Sequence, residues 1–215
     1  MVAVIEAEAR ATALYTGRVR FAQKVMEAMG KVRRHEFVAL EDERVAYINA
    51  PLPVGHDQTI SQPYIVALMT DLLDLHSDSK VLDIGTGSGY QAAVLAEIAC
   101  EVYTVEVIEA LAISAAGRLH ELGYDNVSVH HGDGYYGWPD HAPYDGILVA
   151  AACDNVPPPL LEQLKPGGRL VIPLGRLYMG QDLMLVKKDE NGKVSMQSVL
   201  GVAFVPFVRE KPGKT

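Results

Sequence analysis

Residues 81–90 read VLDIGTGSGY: a short apolar run, then glycines at 85, 87 and 89, then the start of a helix-forming stretch, YQAAVLAEIA (90–99). Glycines at such a junction let a strand turn tightly into a helix and let a ligand approach the backbone. The pattern then repeats. VYTV (102–105), VSVH (127–130) and GILV (146–149) read as strands. IEALAISAAGRLHEL (108–122), stopped by Gly123, and PPPLLEQL (157–164), entered through prolines, read as helices. Strands alternating with helices make βαβ units, so a mostly parallel sheet with helices on both faces is expected. RLVIPLG (169–175), DLMLVKK (182–188) and VLGVAFVPF (199–207) follow with no helix between them, so at least one of these three must run antiparallel.

Upstream of Lys80 the chain is less regular. Phe21, Val25 and Met29 share one helical face, and Gly30 is expected to stop that helix. KVRRHEFVALEDERVAY reads as a short helix and loop. GHDQTISQPY (55–64) places small polar groups directly before an apolar helix, IVALMTDLL.

The glycine loop on its own also fits a plain strand-to-helix turn. The acid at the end of the next strand, Glu106, favours a nucleoside, because a carboxylate there accepts hydrogen bonds from ribose hydroxyls. A dinucleotide loop follows GxGxxG, and here the third glycine comes one residue early. Asp83, two residues before the first glycine, would repel a pyrophosphate and attract a ligand carrying an ammonium and a sulfonium. S-adenosylmethionine has both, with an adenosine and no phosphate. Asp83 also fits an Asx-type turn partner of the loop amides. Asp133, in GDG (132–134), can accept from the adenine amine or belong to an ordinary turn. The expected cofactor residues are Asp83, Gly85, Thr86, Gly87, Ser88, Gly89, Glu106, Asp133 and Gly134. Tyr135, Tyr136 and Trp138 fit either a pocket wall or core packing.

Other classes are disfavoured. The formal net charge is −8, which opposes sequence-independent binding to nucleic acid. The apolar runs fall well short of the roughly 20 residues that cross a bilayer, and the N-terminus lacks a basic signal region. A cytoplasmic protein is expected. Cys100 and Cys153 form no ligand spacing, the histidines form no HExxH, and GxSxG is absent, so neither a metal site nor a serine hydrolase is expected.

The chain resembles the protein-L-isoaspartate O-methyltransferase family from about Phe37 to Phe207. PLPVGHDQTISQP, VLDIGTGSGYQAAVLA, GDGYYGWP, APYDGILV, LKPGGRLVIPLG and FVPF carry the likeness, and QTISQP narrows it to this family. The resemblance implies a Rossmann-like S-adenosylmethionine-dependent methyltransferase fold, seven-stranded with an antiparallel last strand. It would form one domain over 1–215, with a helical extension and substrate-side loop at 1–60 and a cofactor-binding core at 78–210. It implies methylation of the free α-carboxylate of L-isoaspartyl residues in damaged proteins and peptides, with S-adenosylhomocysteine as product; a monomer is expected. Ser61 would be the active-site serine, with Thr59 and Ile60 beside the acceptor carboxylate.

Ser61 also suits a helix N-cap or first-turn position before Pro63, where free amides favour an anion. Gln58 and Gln62 read as positioning groups, and His56 is the one histidine expected near the site. Two positions depart from the family: Asp57 where glycine is usual, and Asn49 where an acid is common. Asp57 is expected to face solvent, since a second carboxylate in the pocket would repel the substrate. A relative acting on a different carboxylate, or a cofactor-binding protein without turnover, also remains compatible with the glycine loop, Glu106 and Asp133.

Overall fold

The computed structural model describes residues 1–176 and 180–210. Its N-terminal part is helical: α1 (Val2–Ala11), α2 (Ala13–Thr16) and α3 (Gln23–Lys31). The apolar face expected for α3 is present, since Phe21, Val25 and Met29 are all buried. Its limits differ from expectation. Phe21 precedes the helix, and Gly30 lies inside it; the helix ends where Val32 turns extended. Glycine costs a helix only about 1 kcal/mol, which packing overrides here. The charged segment that follows forms two 3₁₀ turns, Arg34–Phe37 and Leu40–Val45.

The polar stretch forms an unexpected hairpin, β1 (Leu52–Gly55) and β2 (Gln58–Ile60). Its two-residue turn is His56–Asp57, with φ of +54° and +57°. Two successive left-handed residues make a type I′ turn, whose twist matches that of the strands. Pro53 within β1 and the shortness of both strands hide this hairpin in the sequence. α4 (Pro63–Leu73) follows, with proline in its first turn.

The sheet then builds as anticipated: β3 (Lys80–Ile84), α5 (Tyr90–Ala96), β4 (Glu101–Glu106), α6 (Glu109–Glu121), β5 (Val127–His131), β6 (Tyr144–Val149), α7 (Pro158–Gln163), β7 (Leu164–Arg176), β8 (Gly180–Lys188) and β9 (Val194–Val202). α6 ends in a Schellman motif: the amide of Gly123, at φ +80°, donates to His120 O, and that of Tyr124 donates to Leu119 O. The spatial order is β5-β4-β3-β6-β7-β8-β9. The first five of these are mutually parallel, and β8 pairs antiparallel with both β7 and β9. The reversal among the final strands therefore falls on β8. β9 spans residues 194–202 rather than 199–207, and residues 203–208 leave the sheet edge. Pro206 in that run instead forms an isolated parallel bridge with Ala152.

Successive residues of each central strand feed opposite cores. Val81, Leu148 and Val171 pack beneath α1, α3, α4 and α5; Leu82, Ile147, Leu170 and Ile172 pack beneath α7. β3 lies between β4 and β6, so the chain's winding direction reverses there. The crevice beyond the C-terminal ends of β3, β4 and β6 is where such sheets hold ligands.

Candidate active site

A cavity occupies that crevice. Its floor is the loop after β3 and its roof is the hairpin. Ile84, Gly85, Thr86, Gly87, Ser88, Glu106, Gly134, the hairpin residues Gln58, Thr59 and Ile60, and Ser61 just after them all line it. Gly89 caps α5 at φ +90°, and a Cβ there would meet Leu119 at 3.2 Å. Gly134 is required by close approach: a Cβ would sit 2.5 Å from Ile84 Cγ2. Gly134 therefore presents bare backbone to the cavity.

Glu106 is only 5% exposed. Its Oε2 accepts from Gly87 N–H at 2.8 Å, and its Oε1 accepts from Ile108 N–H at 3.0 Å. A carboxylate has about four acceptor sites, so half of its capacity remains for a ligand. The two amide bonds fix its orientation.

Asp83 differs from expectation. It is fully buried behind the glycine loop and is not part of the cavity wall. Thr104 Oγ1 donates to Asp83 Oδ2 at 2.9 Å, and the Thr86 hydroxyl lies 2.7 Å from Thr104 Oγ1. Since Thr104 spends its hydrogen on Asp83, Thr86 donates to Thr104. Asp83 Oδ1 is buried without a partner. Burial pushes the carboxyl up to about 7, opposed by the Thr104 bond and assisted by the negative charge of Glu106. Asp83 thus steadies the loop through Thr104 and Thr86 rather than projecting into the cavity.

Asp133 is also engaged elsewhere. Its carboxylate accepts from Tyr135 N–H at 3.0 Å and from Arg209 Nε at 2.7 Å. Arg209 in turn lies 3.8 Å above the Tyr135 ring. Neither Asp133 nor Gly89 lines the cavity, whereas Gly134 does. Trp138 packs against Tyr103 and stacks on His130, away from the crevice. His56 is exposed at the hairpin tip.

Ser61 does not cap α4. Gln62 holds the N-cap position, and Ser61 precedes it. Two of the first amides are unavailable to an anion: Pro63 has none, and Tyr64 N–H donates to Asn49 Oδ1 at 3.0 Å. Asn49 thereby replaces the missing cap, a role that needs only an oxygen acceptor. Ser61 instead stands at a junction. Ser61, Thr59, Ala150 and Val205 line both the first cavity and a neighbouring groove of about 660 Å³.

The C-terminal segment completes the wall, which the strand expected over 199–207 leaves unforeseen. Val205, Pro206, Phe207 and Val208 line the cavity. Ala152 N–H donates to Val205 O and Phe207 N–H to Ala152 O, both at 2.9 Å, and Arg209 anchors the end of this strap on Asp133. The proline inside FVPF is the sequence signal for a segment that leaves the sheet.

A sequence model described as protein-L-isoaspartate(D-aspartate) O-methyltransferase matches residues 7–212. The chain belongs to this family. Among its relatives, protein-L-isoaspartate O-methyltransferase 2 of Syntrophobacter fumaroxidans is 58% identical over 207 residues, covering 96% of this chain and 84% of that one. The enzyme of the same name from Polaromonas sp. is 56% identical over 211 residues, covering 98% and 100%. A solved protein-L-isoaspartate O-methyltransferase is 28% identical with a TM-score of 0.82, covering 96% of this chain and 65% of that one, so this chain spans just under two thirds of its length. A Plasmodium falciparum structure called a putative protein-L-isoaspartate O-methyltransferase, in complex with S-adenosyl-L-homocysteine, shares the fold at 22% identity and a TM-score of 0.77. The family match begins well before Phe37, so the N-terminal helices belong to the likeness too.

Proposed function

We infer that the chain transfers the methyl group of S-adenosylmethionine to the free α-carboxylate of L-isoaspartyl residues in damaged proteins and peptides, releasing S-adenosylhomocysteine. The observation that carries this reading is the junction: Ser61 and Thr59 line both the nucleoside-type cavity and the adjoining groove. Donor and acceptor sites in one wall are what an in-line methyl transfer needs.

The cavity suits this cofactor. Among the described residues it is lined by one carboxylate, Glu106, and by no Lys, Arg or His. That favours an adenosine carrying positive charge over a pyrophosphate. Gly85, Thr86, Gly87, Ser88 and Gly134 would hold the cofactor by backbone and hydroxyl groups, and Glu106 would hold the ribose. Asp83 and Gly89 would serve as positioning residues behind them. Asp133 would reach an adenine amine only by sharing its carboxylate with Arg209.

S-adenosylmethionine supplies an activated methyl on a cationic sulfur. An α-carboxylate is already ionised at neutral pH, so this chain needs no general base. Ser61 and Thr59 would orient the acceptor oxygen by hydrogen bonding, with Ile60 packed beside it. Val66, Val205, Pro206 and Phe207 present apolar surface that excludes water, where aligned opposite charges attract more strongly.

We take residues 1–215 as one domain, acting as a monomer in the cytoplasm without nucleic acid. Its net charge of −8 supports the last point. No helix among the described residues is long and apolar enough to cross a membrane. The test is labelled-methyl incorporation into an isoaspartyl peptide and its aspartyl twin. Incorporation is expected into the first alone; equal labelling of both, or of neither, sinks the isoaspartyl assignment.

A further inference from the structure

The groove beside Ser61 has a charge character of its own. Its described walls come from the ends of α1 and α4 and from β8 and β9, and include Glu8, Thr12, Gln62, Tyr64 and Gln181. Glu8 is the only acid among them, and no Lys, Arg or His accompanies it. Glu8 is half-buried, and no ion pair engages its carboxylate among the described residues.

Its place is fixed by a lock between helices. Thr12 Oγ1 donates to Glu8 O at 2.9 Å, one turn back along α1. The Tyr64 hydroxyl lies 2.6 Å from the same Thr12 oxygen and donates to it, since Thr12 has already used its hydrogen. Tyr64 is three residues past Ser61, in the first turn of α4. The lock therefore ties the backbone at Glu8 to the first turn of α4, three residues past the acceptor serine. The Tyr64 hydroxyl is raised above its ordinary range, mainly by burial, against the Thr12 bond and with a smaller contribution from the nearby Glu8 charge.

Ser61 and Glu8 line the same groove, so a peptide whose isoaspartyl carboxylate sat at Ser61 would have this groove open to its flanking residues. We propose that Glu8 selects acceptors by charge, favouring peptides with a Lys or Arg flanking the isoaspartyl residue and disfavouring those with Asp or Glu there. The inference rests on the isoaspartyl reading above and adds to it a residue that sets sequence preference. A single half-buried charge pair changes affinity by roughly threefold to tenfold, and screening by salt reduces it.

The experiment uses three isoaspartyl peptides that differ only in one flanking residue: Lys, Gln or Glu. KM and direct binding, by fluorescence anisotropy of labelled peptide, are measured at low salt and at high salt, for the wild type and Glu8→Gln. The wild type should prefer Lys over Glu by about threefold to tenfold at low salt, with the ratio shrinking at high salt. Glu8→Gln should bring the ratio to within about twofold at an unchanged melting temperature, and Glu8→Lys should invert it. A ratio that survives Glu8→Gln overturns the proposal, as does a wild type without preference. The binding arm reads the ratio whether or not methyl is transferred. A failure of the isoaspartyl reading thus shows as binding without turnover, and a failure of this proposal shows as a ratio blind to residue 8.

Discussion

Asp83 shows how a buried acid couples folding to pH. Its carboxyl is raised from an ordinary 3.8 to about 7. A group raised on folding contributes stability that is fully present below its unfolded pKa and lost as pH rises through the folded one. The wild type should therefore melt progressively lower between pH 4 and pH 8. Asp83→Asn keeps the shape, cannot ionise, and should flatten that slope. Calorimetric melting temperatures at four pH values decide it, and parallel slopes in the two proteins would remove the assigned cause. Ser61 gives the complementary case. It precedes the N-cap, so Ser61→Ala should shift the melting temperature by no more than about 2 °C. Methyl transfer should fall well below wild type while cofactor affinity stays put. A large melting shift with full turnover would return Ser61 to a structural role.

At the scale of elements, the hairpin and the strap roof the site, and neither was readable as such. Asp57 occupies a left-handed position at φ +57° and is exposed. A left-handed non-glycine residue costs about 1–2 kcal/mol, partly offset by glycine's greater unfolded entropy. Asp57→Gly should raise the melting temperature by roughly 1–4 °C and leave the KM for an isoaspartyl peptide within about twofold. A tenfold KM change that persists in high salt would put the charge inside the pocket. The strap is held at its end by Arg209 on Asp133. Because the pair is partly exposed, its loss should be modest: Arg209→Gln should raise the KM for S-adenosylmethionine by about threefold to tenfold. An unchanged KM would mean that the Ala152 backbone bonds alone hold the strap. The loop after β3, Glu106 and Gly134 were legible because one local rule, strand then glycine then helix with an acid at the next strand end, specifies them. The Asn49 cap on α4, the lock at Tyr64 and the diversion of Asp133 depend on partners 15, 52 and 76 residues apart in sequence, which no local pattern encodes.

Across the whole molecule, the N-terminal helices share a core with the sheet. Ile5 and Ala9 of α1 pack in the same cluster as Val81, Leu148 and Val171. Ile5→Ala should cost about 2–4 kcal/mol, and unfolding should remain a single transition in calorimetry. Two resolved transitions would mean that the extension folds apart from the sheet. The shared wall of Thr59, Ser61, Ala150 and Val205 also dictates a sequence of events. A peptide in the groove, as proposed above, would stand against the wall that bounds the cofactor cavity. The expected outcome is ordered addition, cofactor before peptide, with the methylated peptide leaving before S-adenosylhomocysteine. Initial-rate studies should accordingly find S-adenosylhomocysteine competing with the cofactor but not with the peptide, and a trapped peptide slowing the enzyme's exchange of one nucleoside for the next.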